Sequence, residues 1–461
     1  MLSRRATLKG LATAPLVTPL AGPSAASAKP APEADATWRN WSGLQSARPE
    51  RFERPRNTQA LADLIHTTSG TLRPVGASHS FTPLMGTDGT MVAMDHFQGL
   101  IDHDPDQQLA TLGGGTRLNP AANLLNTVGQ AFPNMPDIGQ QTLAGALATA
   151  THGTGATLGC MNAYTESFEL VTANGDRLRC SPQQNADLFH AASVGLGAFG
   201  FLTQVTLHNQ PSYRLARKLE WRSIQDILSH VETLAEQHRN LEFFYVPFTG
   251  MGMMDRQDIT DDPIGGSAGE DQNEGLETLR NVRDWLSWSS WLRERVVGLY
   301  LSTQPTETSV APAAESYTHV RKVLFNEMEY LLPRAVGLKA FEEVRQRLER
   351  DFPEVFFPME VRFVKGDDLW LSPFYQQDSI AIAVHREANA DHRPLFQALE
   401  PILRKHGGRP HWGKLHNLGP KDLEALYPRW QEAMAIRREL DPAGRLLNPY
   451  LQRLLGVEPN V

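Results

Sequence analysis

Residues 73–80 read RPVGASHS, and this stretch decides how the chain is understood. It sets His79 just past a turn of small residues, at the end of a strand-like run, TLRPVGA. Two further runs share its character. GQQTLAGALATATHGTG at 139–155 supplies small residues at Gly145, Gly153 and Gly155, with Thr149, Thr151 and His152 among them. GGRPHWGKLH at 407–416 adds Lys414 beside aromatic and imidazole groups. Small-residue turns leave backbone N–H groups room to face an anion, and a following helix adds its positive end. Together the three runs predict a large anionic cofactor, held by the N-terminal half and covered by the C-terminal half.

Working outward, residues 57–207 alternate short helix-like and strand-like segments. ALADLIHTT is helical, while TMVAMDHF, QLATLGGGT and SFELVTA favour strands. Asn174-Gly175 reads as a two-residue hairpin turn joining the last of these to DRLRCS. No regular βαβ repeat emerges, so the expected class is α+β. ITDDPIGGSAGEDQNEG at 259–275 reads as a mobile surface loop, followed by a Trp-rich helix over 278–300. Strand-like EVFFPMEVRFV and SIAIAVH come next, then amphipathic helices over 391–406 and 421–440.

On the strand containing PMEVR, a period of two puts Glu360 and Arg362 on one face. An acid and a guanidinium on an otherwise apolar strand form either a structural ion pair or a polar substrate site. His385, closing IAIAVH, is a further candidate of this kind. Taken alone, His79 is equally a loop histidine satisfied by backbone, and Thr149–Gly153 a packed helix-to-loop junction. Two familiar patterns do not apply. Gly195–Gly200 fits G-x-G-x-x-G, but a helix-like run precedes it and a β-run follows, the reverse of a dinucleotide fold. Gly408–Lys414 approaches a phosphate-binding P-loop, yet Leu415 stands where a Mg²⁺-ligating hydroxyl is required. His406, His411 and His416 recur every five residues, which stacks them on no helical face, and no HExxH occurs, so no metal site is expected.

The chain has 461 residues, 41% hydrophobic and 21% charged, enough for a large core that divides in two. A net charge of −8 without a basic stripe argues against nucleic acid. At the amino terminus, SRRATLK precedes an apolar stretch too short and Pro-rich to span a bilayer. Ala26-Ser27-Ala28 then offers a cleavage site. Residues 1–28 read as a twin-arginine (Tat) signal, with the Tat translocase as partner and the periplasm or exterior as destination; a disordered basic tail is the alternative. No cysteine follows the apolar stretch, so no lipid anchor is expected, and residues 29–37 read as a disordered lead-in. Cys160 and Cys180 are expected unpaired and partly buried.

RPVGASHSFTPL, the TLAG-to-THGTG segment, SVGLGAFGFLTQVTL and the HWGK box resemble the sugar-1,4-lactone oxidases and alditol oxidases, of the vanillyl-alcohol oxidase type of FAD flavoprotein. The resemblance runs from NWSG at 40–43 to LDPAGRLLNPYLQRLLG at 440–456 and is least at about 250–320. It implies an α+β, two-domain FAD-binding (PCMH-type) fold with an α+β cap: an FAD domain over 38–210, a cap over 211–414 and a return over 415–461. It implies that FAD is lined by Pro74, Val75, Gly76, Ala77, Ser78, His79 and Ser80, and by Gly145, Thr149, Thr151, His152, Gly153, Gly155 and Gly200. His79 would carry the flavin covalently, through the 8α-methyl. Pro136 would lie near flavin C4a and mark an oxygen-reactive enzyme. Glu360, Arg362, Lys414 and His385 would serve substrate and catalysis. The implied reaction oxidises an aldonolactone or alditol, with oxygen leaving as hydrogen peroxide. A dehydrogenase using a quinone or cytochrome, and an exported sugar-binding protein without redox chemistry, are the alternatives.

Overall fold

The computed structural model describes residues 37–267, 289–317 and 323–458; the expected signal segment and nearly all of the expected lead-in lie outside these. Near the N-terminus, the helix Thr58–Thr67 is capped by Asn57, whose side chain accepts from Ala60 N at 2.8 Å. It buries Leu61 and Ile65, one turn apart, against Leu72 and Val92. Those two residues belong to a parallel sheet ordered Arg51–Glu53, Thr90–Ala93, Leu72–Val75. Beside it lies a five-stranded antiparallel sheet, ordered Arg177–Cys180, Thr165–Val171, Phe201–His208, Leu109–Gly113, Leu100–Asp104. The hairpin at Asn174-Gly175 is a three-residue loop, not a two-residue one. Gly175 takes φ +83° and donates to Thr172 O at 3.0 Å, a type I turn closed by a left-handed glycine.

A nine-stranded antiparallel sheet occupies the second half. Its central strands run Met251–Thr260, Asn240–Val246, Met359–Val364, Ser379–Glu387, Phe325–Pro333. The helices Ile224–Gln237, Arg334–Asp351 and Arg393–Lys405 bury apolar stripes such as Phe341, Val344 and Leu348. Each such side chain contributes about 1.5–3 kcal/mol when fully buried. Gly337 lets the Arg334–Asp351 helix approach the sheet: a Cβ there would stand 2.5 Å from Ile380 Cβ. Every residue of Met359–Val364 is buried, so both faces of the sheet are covered.

Three expectations change here. The amphipathic stretch 421–440 is two helices, Pro420–Leu426 and Trp430–Leu440, because Pro428 removes a backbone donor and pushes Tyr427 out of helical geometry (φ −110°, ψ 103°). The stretch 259–275 is partly strand: Thr260 ends one strand, and Gly265-Gly266 pairs with Ser309 and Val310. Residues 268–288, and with them the start of the expected Trp-rich helix over 278–300, lie outside the described residues; its described part is helical from Ser290, and that helix runs on to Ser302. Both cysteines are free and fully buried. The C-terminal segment closes on the N-terminal half. Arg445 donates to the carbonyls of Ile65, Thr68 and Ala173, and Asn448 to those of Pro83 and Gly86.

Candidate active site

The strand Leu72–Val75 runs into a strained turn. Ser78 takes φ +62°, a left-handed conformation uncommon for a residue with a side chain. The NWSG segment holds it: Trp41 N donates to Ser78 O at 2.8 Å, while Trp38 Nε1, nearby, donates to Ser78 Oγ at 3.1 Å. Trp41 also stacks on the His79 imidazole, centroids 5.5 Å apart. Pro74–Ser80 form one wall of a narrow slot whose other walls include Gly145, Thr149, Gly195, Gly197 and Gly200. A Cβ at Gly76 would meet Thr142 Oγ1 at 2.4 Å, and one at Gly197 would meet Pro74 Cγ at 2.7 Å. Only glycine lets these walls come so close. Buried Arg73 ties them together, donating to the carbonyls of Leu84, Leu196 and Gly197.

His79, Ser80, Gln141 and Thr149 line both this slot and a chamber of about 960 Å³. One wall of the chamber is the nine-stranded sheet. Residues paired directly across strands share a face, and Glu242 opposes Arg362, Glu360 and Glu329 both oppose Ala383, and Glu327 opposes His385. The result is a row of ionisable groups on one face, with Val361 and Phe363 on the other. Glu329 Oε1 lies 3.1 Å from His152 Nε2 and 3.2 Å from Arg362 Nη2. Glu360 Oε1 is 3.2 Å from Arg362 Nε, at an angle that makes no hydrogen bond. Lys414 Nζ pairs with Glu327 Oε2, over the ring of Phe81. His385 Nδ1–H donates to Pro358 O at 3.0 Å, and its Nε2 is 3.7 Å from Glu327. Trp41, Phe325 and Phe357 supply an aromatic wall beside these groups.

Burial dominates the electrostatics. It raises Glu360; Arg362 opposes the rise and Asp137, Glu327 and Glu329 add to it, leaving the carboxyl at about 8. Burial would also raise Glu329, but Arg362 and then His152 hold it well below the usual carboxylate range. Glu242 is pushed well above that range by burial, Asp137 and Glu360. His79 drops to about 4, from burial and then from Lys414 and Arg117, so its imidazole is neutral at physiological pH. His411 falls to about 3, chiefly through burial.

Of the residues singled out from the sequence, Pro74–Ser80, Gly145, Thr149 and Gly200 line the slot. Pro136, Thr151, His152, Glu360, Arg362, His385 and Lys414 line the chamber. Gly153 and Gly155 line neither. A Cβ at Gly153 would strike Met135 O at 2.2 Å, and one at Gly155 would stand 2.6 Å from Arg239 O, so both serve close packing of this loop. His152 is not placed for phosphate, because the Glu329 carboxylate already occupies its Nε2 side. Glu327, Glu329, Trp41 and Arg73 were not among the expected site residues, and His411 was considered only as a metal ligand. For Glu327 and Glu329 a signal existed: two acids at a spacing of two in FNEMEYLLP, the same pattern that picked out Glu360 and Arg362.

Known proteins are similar to this chain in sequence and in fold. A profile for an FAD-binding domain matches residues 49–181, and one for D-arabinono-1,4-lactone oxidase matches residues 205–454. The L-gulono-1,4-lactone dehydrogenase of Mycobacterium tuberculosis is 35% identical over 91% of this chain and 99% of its own. The chain belongs to the D-arabinono-1,4-lactone oxidase family. Other members of this kind are similar along the same length. L-Gulonolactone oxidase of Bos taurus and alditol oxidase of a Streptomyces species are each 29% identical over 90% of this chain and 98% of their own. Cholesterol oxidase of Brevibacterium sterolicum superposes with a TM-score of 0.73 at 17% identity, over 91% of this chain and 96% of that one, which shows a common FAD-binding PCMH-type fold. This lactone oxidase family member is therefore an FAD-dependent oxidoreductase acting on the CH–OH group of a sugar lactone or alditol. The slot has the glycine-rich, closely approached walls that an FAD cradle needs.

Proposed function

We propose that the protein is an exported oxidase that converts an aldono-1,4-lactone or an alditol to its carbonyl product and passes the electrons to oxygen, releasing hydrogen peroxide. One observation carries the reading: His79, Ser80, Gln141 and Thr149 line the slot and the chamber alike, so a cofactor in the slot has access to the row of Glu360, Arg362 and Lys414. Residues 38–210 and 415–461 would hold FAD, with 211–414 as the cap. FAD bound there supplies a hydride acceptor and the means of reducing oxygen. The rest falls to the chain. Arg362 and Lys414 orient the reacting hydroxyl and stabilise negative charge as it develops. Glu360, once ionised, accepts the hydroxyl proton. The neutral imidazole of His79 offers a ring nitrogen for attachment to the flavin 8α-methyl. Pro136 lines the chamber, in keeping with oxygen as acceptor.

Export rests on the twin arginines at 4 and 5 and the Ala26-Ser27-Ala28 site. The test of the whole reading is an anaerobic titration of yellow, purified protein with lactones and alditols, followed by admission of air. Bleaching of the flavin, then its recovery with peroxide equal to substrate consumed, is expected. A flavin that none of these compounds reduces would overturn the proposal. The name of the mycobacterial relative favours one second reading, a dehydrogenase. Reoxidation that is sluggish in air but rapid with a quinone would select it.

A further inference from the structure

Each permanent cation on the chamber wall is already in contact with a carboxylate. Among the described lining residues these cations are Arg362 and Lys414, against the carboxyl groups of Asp137, Glu307, Glu327, Glu329 and Glu360. Arg362 is 3.2 Å from both Glu329 and Glu360, and Lys414 pairs with Glu327. Glu327 and Glu329 are almost completely buried, so salt screens these pairs weakly. Buried pairs are poor sources of stability, because desolvating two charges costs about what their attraction returns. The Glu327–Lys414 pair therefore invites a functional account. What the wall presents to a ligand is donors and acceptors without a free positive charge.

We propose that Glu327, by neutralising Lys414 at the chamber wall, is a specificity-determining residue that admits uncharged, hydroxyl-rich substrates and rejects the corresponding carboxylates. The inference rests on the reading of the chamber as the substrate site. The discrimination has a chemical reason. A sugar lactone adds water across its ring ester to give the open hydroxy acid, which loses a proton to become an aldonate. Lactone and aldonate keep the same carbon skeleton and differ by a full charge, and an enzyme acting on the lactone meets both. A carboxylate entering this chamber loses its water, finds both cations paired, and faces a further acidic side chain at Asp137. A hydroxyl group meets no such penalty, since it can both donate and accept.

The test compares holoenzymes of the wild type, Glu327→Gln and Glu327→Leu. Anaerobic flavin reduction is followed with one lactone and with its sodium aldonate at neutral pH, in low and high salt. The wild type is expected to prefer the lactone strongly. Either substitution leaves Lys414 unpaired, and an ionic contact of that kind should improve the aldonate-to-lactone rate ratio by roughly 10–100-fold. The gain should largely persist in high salt, because the contact lies at a buried wall. Flavin content reports folding, and the two variants differ in shape and polarity but share the charge change, so either one can decide the matter. An unchanged ratio in a flavin-loaded variant, or a wild type that oxidises the aldonate as readily as the lactone, overturns the role of Glu327 while leaving lactone oxidation standing. Failure of the wild type on lactones and alditols alike would remove both readings together.

Discussion

Under the proposed mechanism, the charge state of Glu360 should set the rate of flavin reduction. Its carboxyl is buried and raised to about 8, with Asp137, Glu327 and Glu329 pressing upward and Arg362 pulling downward. The sign follows directly. Below that value the group keeps its proton and accepts none; above it the carboxylate is free to take the substrate hydroxyl proton. About one-tenth of the molecules carry the ionised form at pH 7 and about nine-tenths at pH 9. Flavin reduction should therefore rise about tenfold per pH unit on the acid side and level off above about pH 8–9. Glu360→Gln should slow reduction by about 10²–10⁴ and abolish this limb. The variant should keep its FAD, because Glu360 lines the chamber and not the slot. Asp137→Asn should move the limb to lower pH, since one fewer negative neighbour eases ionisation. Anaerobic stopped-flow absorbance over about pH 6–9.5 measures all three. A flat wild-type profile, or an unchanged limb in Glu360→Gln, would refute the assignment of Glu360 as base.

Lys414→Met should retain FAD and slow flavin reduction by about 10²–10³, with reoxidation little affected; a loss of flavin on purification would make Lys414 structural. Wild-type protein precipitated with acid should stay yellow, and His79→Ala should release its flavin to the supernatant; a flavin-bearing peptide from elsewhere in the chain would disprove attachment at His79. Gly337→Ala should destabilise the fold by about 1–3 kcal/mol, seen as a lower Tm, because its Cβ would press on Ile380 in a closed helix–sheet contact. Replacing Arg4 and Arg5 with lysine should trap the precursor in the cytoplasm of its host, and normal export of that variant would rule out the Tat route.

The slot was legible because its cause is local. The VGASHS turn, the TLAG helix start and the inverted G-x-G-x-x-G segment are short runs whose small side chains have one physical use, close approach of backbones, and they do meet in space. The break at Pro428 and the third residue of the hairpin at Gly175 were equally local, and both follow from φ preferences that the residues carry with them. Gly153 and Gly155, expected at the cofactor, line neither slot nor chamber, and the reason is the opposite one. Their smallness answers to the backbones of Met135 and Arg239, one nearby in sequence and one well beyond it in the chain, and nothing in THGTG tells a glycine facing a ligand from one facing another segment.

The polar wall required more than a motif. Glu329 draws its partners from a loop of the N-terminal half, His152, and from a strand beyond it in the chain, Arg362. That meeting depends on a spatial strand order in which Ser379–Glu387 lies between Phe325–Pro333 and Met359–Val364. A strand read singly shows only which residues share a face. Yet the physics permits one step further. When a run is apolar enough to be buried on both faces, an acid within it cannot rely on water, so it must find a cation, give up its charge or leave an unsatisfied group. Glu329 does the first, with Arg362 beside it. Glu360 does the second, with a carboxyl raised to about 8. The acids of FNEMEYLLP and the E-x-R pair of PMEVR thus belong to one problem, that of charge held in a covered sheet, and the chamber lies where that problem is solved.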